Sequence, residues 1–414
     1  MIPKKVKILL VSATLPPDNS ATAELIKKLL PDLQSHNCEI EGLTVKKSFC
    51  EREKEQSEHL FLYKANCVLF APTPIKCLKD FIFRIRNRIL AHKKSRATAI
   101  FKEKTVCALL SAMRKMDMQQ YDAILAVCAY YDVAEALMRF KEKTPLSARM
   151  LLYQVDPLAE NKIYQTSDNA ADLFAYEETL YKTFDHVFTT PIILKQKKEK
   201  GWDMSNVSSL EFPIHLPTTH PNAPIYQTKS EIKCVFAGFL YGTIRDARYT
   251  LELFSRMKDK NIHLYFAGTG QEKLLNDYAQ GALAGRLDIL GQKTAQECDE
   301  LLRSANVLVN IGNKVNNQVP SKLLHYVGFG KPILNIVAVN ECPSIPYMEK
   351  YPMAYNIFEK DAALDEDAKK TEAWIQENSS KQISFEQITT NFLECTPPYI
   401  ANKIFEASTR GDIQ

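Results

Sequence analysis

The sequence predicts an α/β protein of two domains, each a parallel sheet covered by helices, the two facing each other across a cleft. Three observations carry that prediction. The chain has 414 residues, about twice what one ordinary core accommodates. Short apolar runs rich in Val, Ile and Leu alternate with longer amphipathic stretches, the pattern of strands buried on both faces by crossover helices. The alternation breaks once, at residues 213–229, where Pro213, Pro217, Pro221 and Pro224 stand in a polar context. Such a stretch reads as a linker. The domains are therefore drawn at residues 1–215 and 216–395.

Taken in order, KVKILLVSA (residues 5–13) is read as a buried strand, followed by a Pro-Pro-Asp-Asn-Ser loop and a helix from about Thr22 to Ser35. Residues 38–45 and 66–71 are expected as strands, residues 103–118 as a helix. Further strands are expected at residues 122–129, 149–155, 186–190 and 207–212, separated by stretches of helical period. After the linker come strands at residues 232–237, 263–267, 287–290, 307–311 and 332–337. Helices are expected at residues 247–258, 271–282, 295–304 and 321–327.

Composition narrows the class. With 45% hydrophobic and 25% charged residues, the chain reads as a soluble folded protein. No apolar run approaches the ~18–20 residues of a membrane-spanning helix. The basic-then-apolar start MIPKKVKILLV runs into Pro16, Pro17 and Asp18 with no small-residue cleavage site, so the expected location is cytoplasmic. The 10 cysteines form no C-x-x-C pair. Several lie in apolar runs, so neither a disulfide framework nor a zinc site is expected.

The net charge of +4 is too small to point to nucleic acid, and none is expected as a partner. Its distribution says more. Lys76, Lys79, Arg84, Arg86, Arg88, Lys93, Lys94, Arg96, Lys102 and Lys104 stand against Asp80 and Glu103 alone. Apolar residues such as Phe81, Phe83, Ile85 and Ile89 interleave them, so residues 75–104 read as a basic amphipathic insertion. Two readings stand: a solvated helix face packed on its domain, or a peripheral contact with an anionic membrane surface, where each basic residue contributes roughly 1 kcal/mol.

Of the 13 glycines, only Gly42 and Gly201 fall in the first half; most crowd between Gly238 and Gly330. A backbone that must approach a phosphate closely is therefore expected in the second half. Four loops at strand ends stand out: Gly238–Asp246, Gly268-Thr-Gly270, Gly291-Gln292, and Asn316–Lys322 with the following Gly328-Phe-Gly330. A helix opening at Ser321, with Lys322 beside it and Arg245 on a glycine-bracketed loop, makes a diphosphate cradle. Gly268-x-Gly270 lacks the third glycine of a dinucleotide fingerprint, and no Walker motif occurs.

In these segments the chain resembles the GT-B glycosyltransferases, two Rossmann-like domains across a cleft, and in particular the glycosyltransferase family 4 type of bacterial polysaccharide assembly. The resemblance runs through LYFAGTG, ILGQKTAQECDELLRSANVLVNI and PSKLLHYVGFGKPI in the second half, and more loosely through KILLVSATLPPDNSATAELIKKLL and LLYQVDPLAEN in the first. It implies a hexosyltransferase-type enzyme. A nucleotide-sugar donor is held by the C-terminal domain and a glycan or lipid-linked acceptor by the N-terminal domain. Residues 396–414 form a helix crossing back. Transfer is retaining and metal-independent, with no cofactor, since the nucleotide sugar is itself a substrate. Carried over by position, Arg245 contacts the diphosphate, and Pro320, Ser321 and Lys322 lie at the phosphates. Gly238, Gly268 and Gly270 pass near the nucleotide, and Gln292 sits near the base. Tyr130 is expected to contact the acceptor. Asp156 joins Arg245 and Lys322 as a catalytic candidate.

Three positions depart from the family pattern. His325 stands where members carry a glutamate that holds the ribose hydroxyls, Asn317 where an earlier glutamate falls, and Ser20-Ala21 where a glycine pair follows the first strand. They keep two alternatives open: a non-catalytic partner subunit of a glycosyltransferase complex, and a nucleotide-sugar epimerase. Asp365-Glu366-Asp367 matches a D-x-D metal motif, but its charged surroundings read as an exposed helix, and no metal is expected.

Overall fold

The computed structural model describes residues 5–18, 20–45, 54–56, 60–65, 101–128, 131–161, 165, 169–215 and 231–409. The strand expected at residues 66–71, most of the basic insertion and Tyr130 lie outside the described residues. The chain divides into two compact units, one running to Glu211 and resuming at Pro397, the other spanning Phe212–Thr396.

The first unit carries β1 (Val6–Val11), α1 (Ala21–Ser35), β2 (Cys38–Val45), β3 (Lys54–Gln56), β4 (Phe61–Ala65), α2 (Glu103–Met113), β5 (Ala123–Cys128), α3 (Asp132–Lys141), β6 (Arg149–Gln154), α4 (Ala170–Thr183), β7 (His186–Thr189), α5 (Pro191–Glu199) and β8 (Val207–Ser209). Its sheet has the order β3-β4-β2-β1-β5-β6-β7-β8. Every described pairing is parallel except β3 with β4. β5 is buried at all six positions, as its uninterrupted AILAVC run requires of a strand covered on both faces. Each buried Leu or Ile of such a strand contributes ~1.5–3 kcal/mol. Ser20, at the glycine-pair position, caps α1: its Oγ accepts from the Ala23 N–H at 3.1 Å and donates to Thr14 Oγ1 at 2.8 Å. The chain there uses a side chain to satisfy the helix end.

The second unit carries β9 (Ile232–Phe239), α6 (Arg248–Arg256), β10 (Ile262–Thr269), α7 (Glu272–Gln280), β11 (Leu287–Gly291), α8 (Ala295–Ser304), β12 (Val307–Ile311), α9 (Ser321–Val327), β13 (Ile333–Val337), α10 (Ile345–Lys350), β14 (Ala354–Phe358), α11 (Leu364–Asn378) and α12 (Phe385–Asn391). All its described strand pairings are parallel, in the order β11-β10-β9-β12-β13-β14. Register on one side is pinned by a buried amide ladder. Asn310 donates to Asn335 at 2.7 Å, and Asn335 donates to Asn356 at 2.7 Å and to Ser344 at 3.1 Å. A slip of one residue would break every rung. The D-x-D carboxylates head α11, where Asp367 accepts from the Tyr249 hydroxyl and Asp365 pairs with Arg256. The last helix, α13 (Pro397–Thr409), lies in the first unit, with Phe405 stacked on His36 at 5.2 Å.

Candidate functional site

In an open parallel sheet, ligands bind beyond the carboxyl ends of the strands where the strand order reverses. In the second unit that place lies between β9 and β12, because β9 leads outward to β10 and β11 while β12 leads to β13 and β14. The loops leaving these two strands carry Arg245 and Asn313. Arg245 Nη2 donates to Asn313 Oδ1 at 2.9 Å, bridging the reversal, and Nη1 reaches the Phe239 carbonyl at 3.5 Å. Arg245 Nε is buried with no hydrogen-bond partner among the described residues. Burial holds this guanidinium below its ordinary pKa, against the opposing pull of Tyr326, Tyr241 and Cys342. The neighbouring carboxylate does not balance it: Asp246 is turned to Lys314 at 3.2 Å, to Gln271 Nε2 and to the Arg248 N–H. A desolvated guanidinium held by neutral oxygens alone is costly to maintain. It is what an anion receptor requires.

The glycines build the loop around it. At φ +140° a Cβ on Gly268 would lie 1.8 Å from the Gly238 carbonyl oxygen, and at φ +100° one on Gly270 would lie 2.1 Å from the Leu240 carbonyl. Both glycines are therefore demanded by the close approach of the β10 turn to the β9 backbone. A Cβ on Gly238 would itself stand 3.3 Å from Arg245 Nη1. Across the Asp246 side of the loop, a cavity of about 170 Å³ is lined by Asp246, Glu252, Glu359, Lys314 and others. Its carboxylates make it the wrong environment for a phosphate.

α9 borders this loop. The Tyr326 hydroxyl accepts from the Ala237 N–H at 2.7 Å, tying the helix to the last turn of β9. Pro320 precedes the helix and Ser321 opens it. Lys322 Nζ lies 3.8 Å from Cys298 Sγ. One turn on, His325 Nε2 lies 2.8 Å from Asp299 Oδ1, with His215 Nε2 3.7 Å from Asp299 Oδ2. Burial alone would raise the Asp299 carboxyl, but the His325 hydrogen bond, His215 and Lys322 together hold it below its ordinary range. These two imidazoles and one carboxylate, mutually within 4.8 Å, have the donor types of a cation site. The Asp299 charge is also balanced by the adjacent cationic and hydrogen-bonding groups. Asp299 and His215 were not foreseen from sequence. One sits in a run of helical acids and the other in the proline-rich stretch, so neither carries a local signal.

The fold thus gathers Gly238, Arg245, Gly268 and Gly270 in one cluster and Pro320, Lys322 and His325 on the neighbouring helix. Gln292 is exposed at the end of the edge strand β11, beside β10 and two strands from β9. Asn317 is buried. In the first unit, Asp156 follows β6 with its carboxyl pushed up to about 6 by burial.

No family model matches the chain, and no curated protein matches it. Solved structures do. A sucrose-phosphate synthase from Thermosynechococcus elongatus aligns over 97% of this chain and 98% of its own, with a TM-score of 0.69 at 12% identity. HepE of Anabaena, solved in complex with UDP and glucose, covers 97% and 98% with a TM-score of 0.62 at 12% identity. WaaG, a glycosyltransferase involved in lipopolysaccharide biosynthesis, covers 98% and 100% with a TM-score of 0.56 at 12% identity. This chain has the GT-B fold. At such identity the likeness is one of fold, spanning both units. In GT-B terms, Arg245, α9 and the β9–β10 glycines belong to the C-terminal unit, and Asp156 to the N-terminal one.

Proposed function

We propose that this GT-B chain is a nucleotide-sugar-dependent glycosyltransferase acting on a glycan or lipid-linked acceptor. The observation that carries the reading is Arg245, a half-buried guanidinium at the strand-order reversal of the second unit whose buried Nε has no partner and which meets no carboxylate among the described residues. The UDP complex of HepE, a protein of the same fold, supports a nucleoside diphosphate as the anion. When the bond from the anomeric carbon to the diphosphate oxygen breaks, negative charge grows on the departing nucleoside diphosphate. Arg245 and Lys322 offer fixed positive charge to it, so neither a metal nor a cofactor is required. The acceptor hydroxyl forms the new bond and gives up its proton. A carboxyl titrating near 6, as at Asp156, is mostly ionised at neutral pH and matched to that transfer. Retention at the anomeric carbon is part of this reading, as is a cytoplasmic location with residues 75–104 against the inner face of the membrane. Among the described residues no helix is long and apolar enough to cross a membrane.

The test is a panel of nucleotide sugars incubated with glycan and lipid-linked acceptors, followed for released nucleoside diphosphate and for the glycosylated product. Acceptor-dependent release from one donor class supports the reading. Conversion of the nucleotide sugar to an epimer without any acceptor contradicts it. A second reading, a non-catalytic partner subunit, is favoured by the replacement of two expected glutamates by Asn317 and His325. It predicts nucleotide binding with turnover only when a partner chain is added.

A further inference from the structure

The residues that hold Asp156 in place form a buried ionic network whose extent exceeds what a surface loop needs. β6 ends at Gln154 and the chain turns through Val155–Asn161. Within that turn Val155, Pro157, Leu158 and Ala159 are buried, and only Asp156 and Glu160 reach solvent in part. Beneath it lie two fully buried side chains that form a salt bridge, Glu177 of α4 and Lys197 of α5, each 0% exposed. Glu177 accepts the Leu158 N–H at 3.0 Å and the Ala159 N–H at 3.2 Å, one on each oxygen. It also accepts from Lys197. Lys197 reaches Glu160 at 2.8 Å and lies 4.1 Å from the centre of the Trp202 ring.

The other side of Asp156 is fixed by the same network. Gln154 donates to both Glu177 and the Tyr131 hydroxyl, and that hydroxyl donates to the Asp156 carbonyl at 2.7 Å. The Asp156 carbonyl and the Leu158 and Ala159 N–H groups are thus anchored, while the Asp156 carboxylate has no hydrogen-bond or ion-pair partner among the described residues. Burying an ion pair rarely stabilises a fold by itself, since desolvation offsets the attraction. A network of this kind is instead suited to holding one geometry.

We propose that Glu177 and Lys197 are positioning residues for glycosyl transfer: they hold the β6 turn so that the unpaired Asp156 carboxylate stays poised for the acceptor hydroxyl. The assignment rests on the function proposed above. It places acceptor recognition under the control of two residues that touch neither substrate.

The test uses the full chain with both charges removed together, Glu177→Gln with Lys197→Met, so that no lone ion is left buried. A milder variant, Glu160→Gln, serves if the double variant does not fold. The expected result is a fall of about tenfold in kcat/KM for the acceptor with donor KM unchanged, and no further loss when Asp156→Asn is added. Lys197→Arg should recover part of the loss. Losses that add independently to those of Asp156→Asn, or unchanged acceptor kinetics, would overturn the proposal. A readout without turnover separates this inference from the function it rests on. In the native background Asp156→Asn should raise Tm at pH 7.5, because it removes an unpaired, desolvated charge. In the loosened background, where water reaches the carboxylate, that gain should disappear. A gain of the same size in both backgrounds would overturn the inference even for a chain that transfers no sugar.

Discussion

Arg245 and Asp156 each sit where burial disfavours their charge, and each makes a prediction. Replacing Arg245 with Ala removes a partly desolvated cation that no carboxylate balances among the described residues, so the unliganded second unit should unfold at the same urea concentration or a higher one. Nucleoside diphosphate affinity in the same variant should fall by roughly 30–100-fold, the loss of a charge-assisted contact worth about 2–3 kcal/mol; isothermal titration reads it. A variant that loses stability yet keeps affinity would assign Arg245 to structure alone. For Asp156 the sign follows from the raised carboxyl. Its folded value of about 6 lies above the ordinary ~3.9 of an unfolded Asp. The folded chain therefore binds more protons between those limits, and stability falls as pH rises through that window. Asp156→Asn should stabilise the first unit by up to about 2–3 kcal/mol at pH 7.5. The gain should vanish near pH 4, as pH-dependent thermal unfolding would show.

At the scale of elements, packing sets tight limits. Gly268→Ala brings a methyl to 1.8 Å from the Gly238 carbonyl at a φ that side chains rarely adopt. It should cost at least about 3 kcal/mol in denaturant unfolding or prevent folding of the second unit. Asn335→Ala leaves Asn310 and Asn356 without their ladder partner and should cost about 1–3 kcal/mol by the same measurement. The central strands were legible because an apolar run buried on both faces leaves little other choice: ILLV, AILAVC and VLVNI all became strands. β3 and β4 were not, since KEQ has no apolar residue and FLYKA is broken by a lysine, both features of a sheet edge. β14 (AYNIF) was missed because Asn356, its amide rung, reads as a break until the ladder is seen. The site shows the same division. Arg245, bracketed by glycines, could be singled out from local sequence. The Asp299–His325–His215 cluster and the Glu177–Lys197 pair could not, because each is assembled from segments with no local signal.

Over the whole molecule, charge and glycine are sorted along the chain. The glycine-rich half carries the Arg245 site, and the basic stretch falls in the glycine-poor half. If residues 75–104 meet an anionic surface, reversing Arg84, Arg86 and Arg88 to Glu should release the protein from anionic vesicles in a flotation assay and leave neutral vesicles unaffected. Unchanged binding would rule out the membrane contact through these arginines without bearing on the donor site. Binding of a nucleoside diphosphate by the second unit at the β9–β12 reversal can be read by amide hydrogen exchange with and without a saturating nucleoside diphosphate. Protection is expected in the loops from Gly238 to Arg245 and from Asn313 to Lys322, and none in Arg245→Ala. Protection confined to the first unit, or none in these loops for any base, would contradict it.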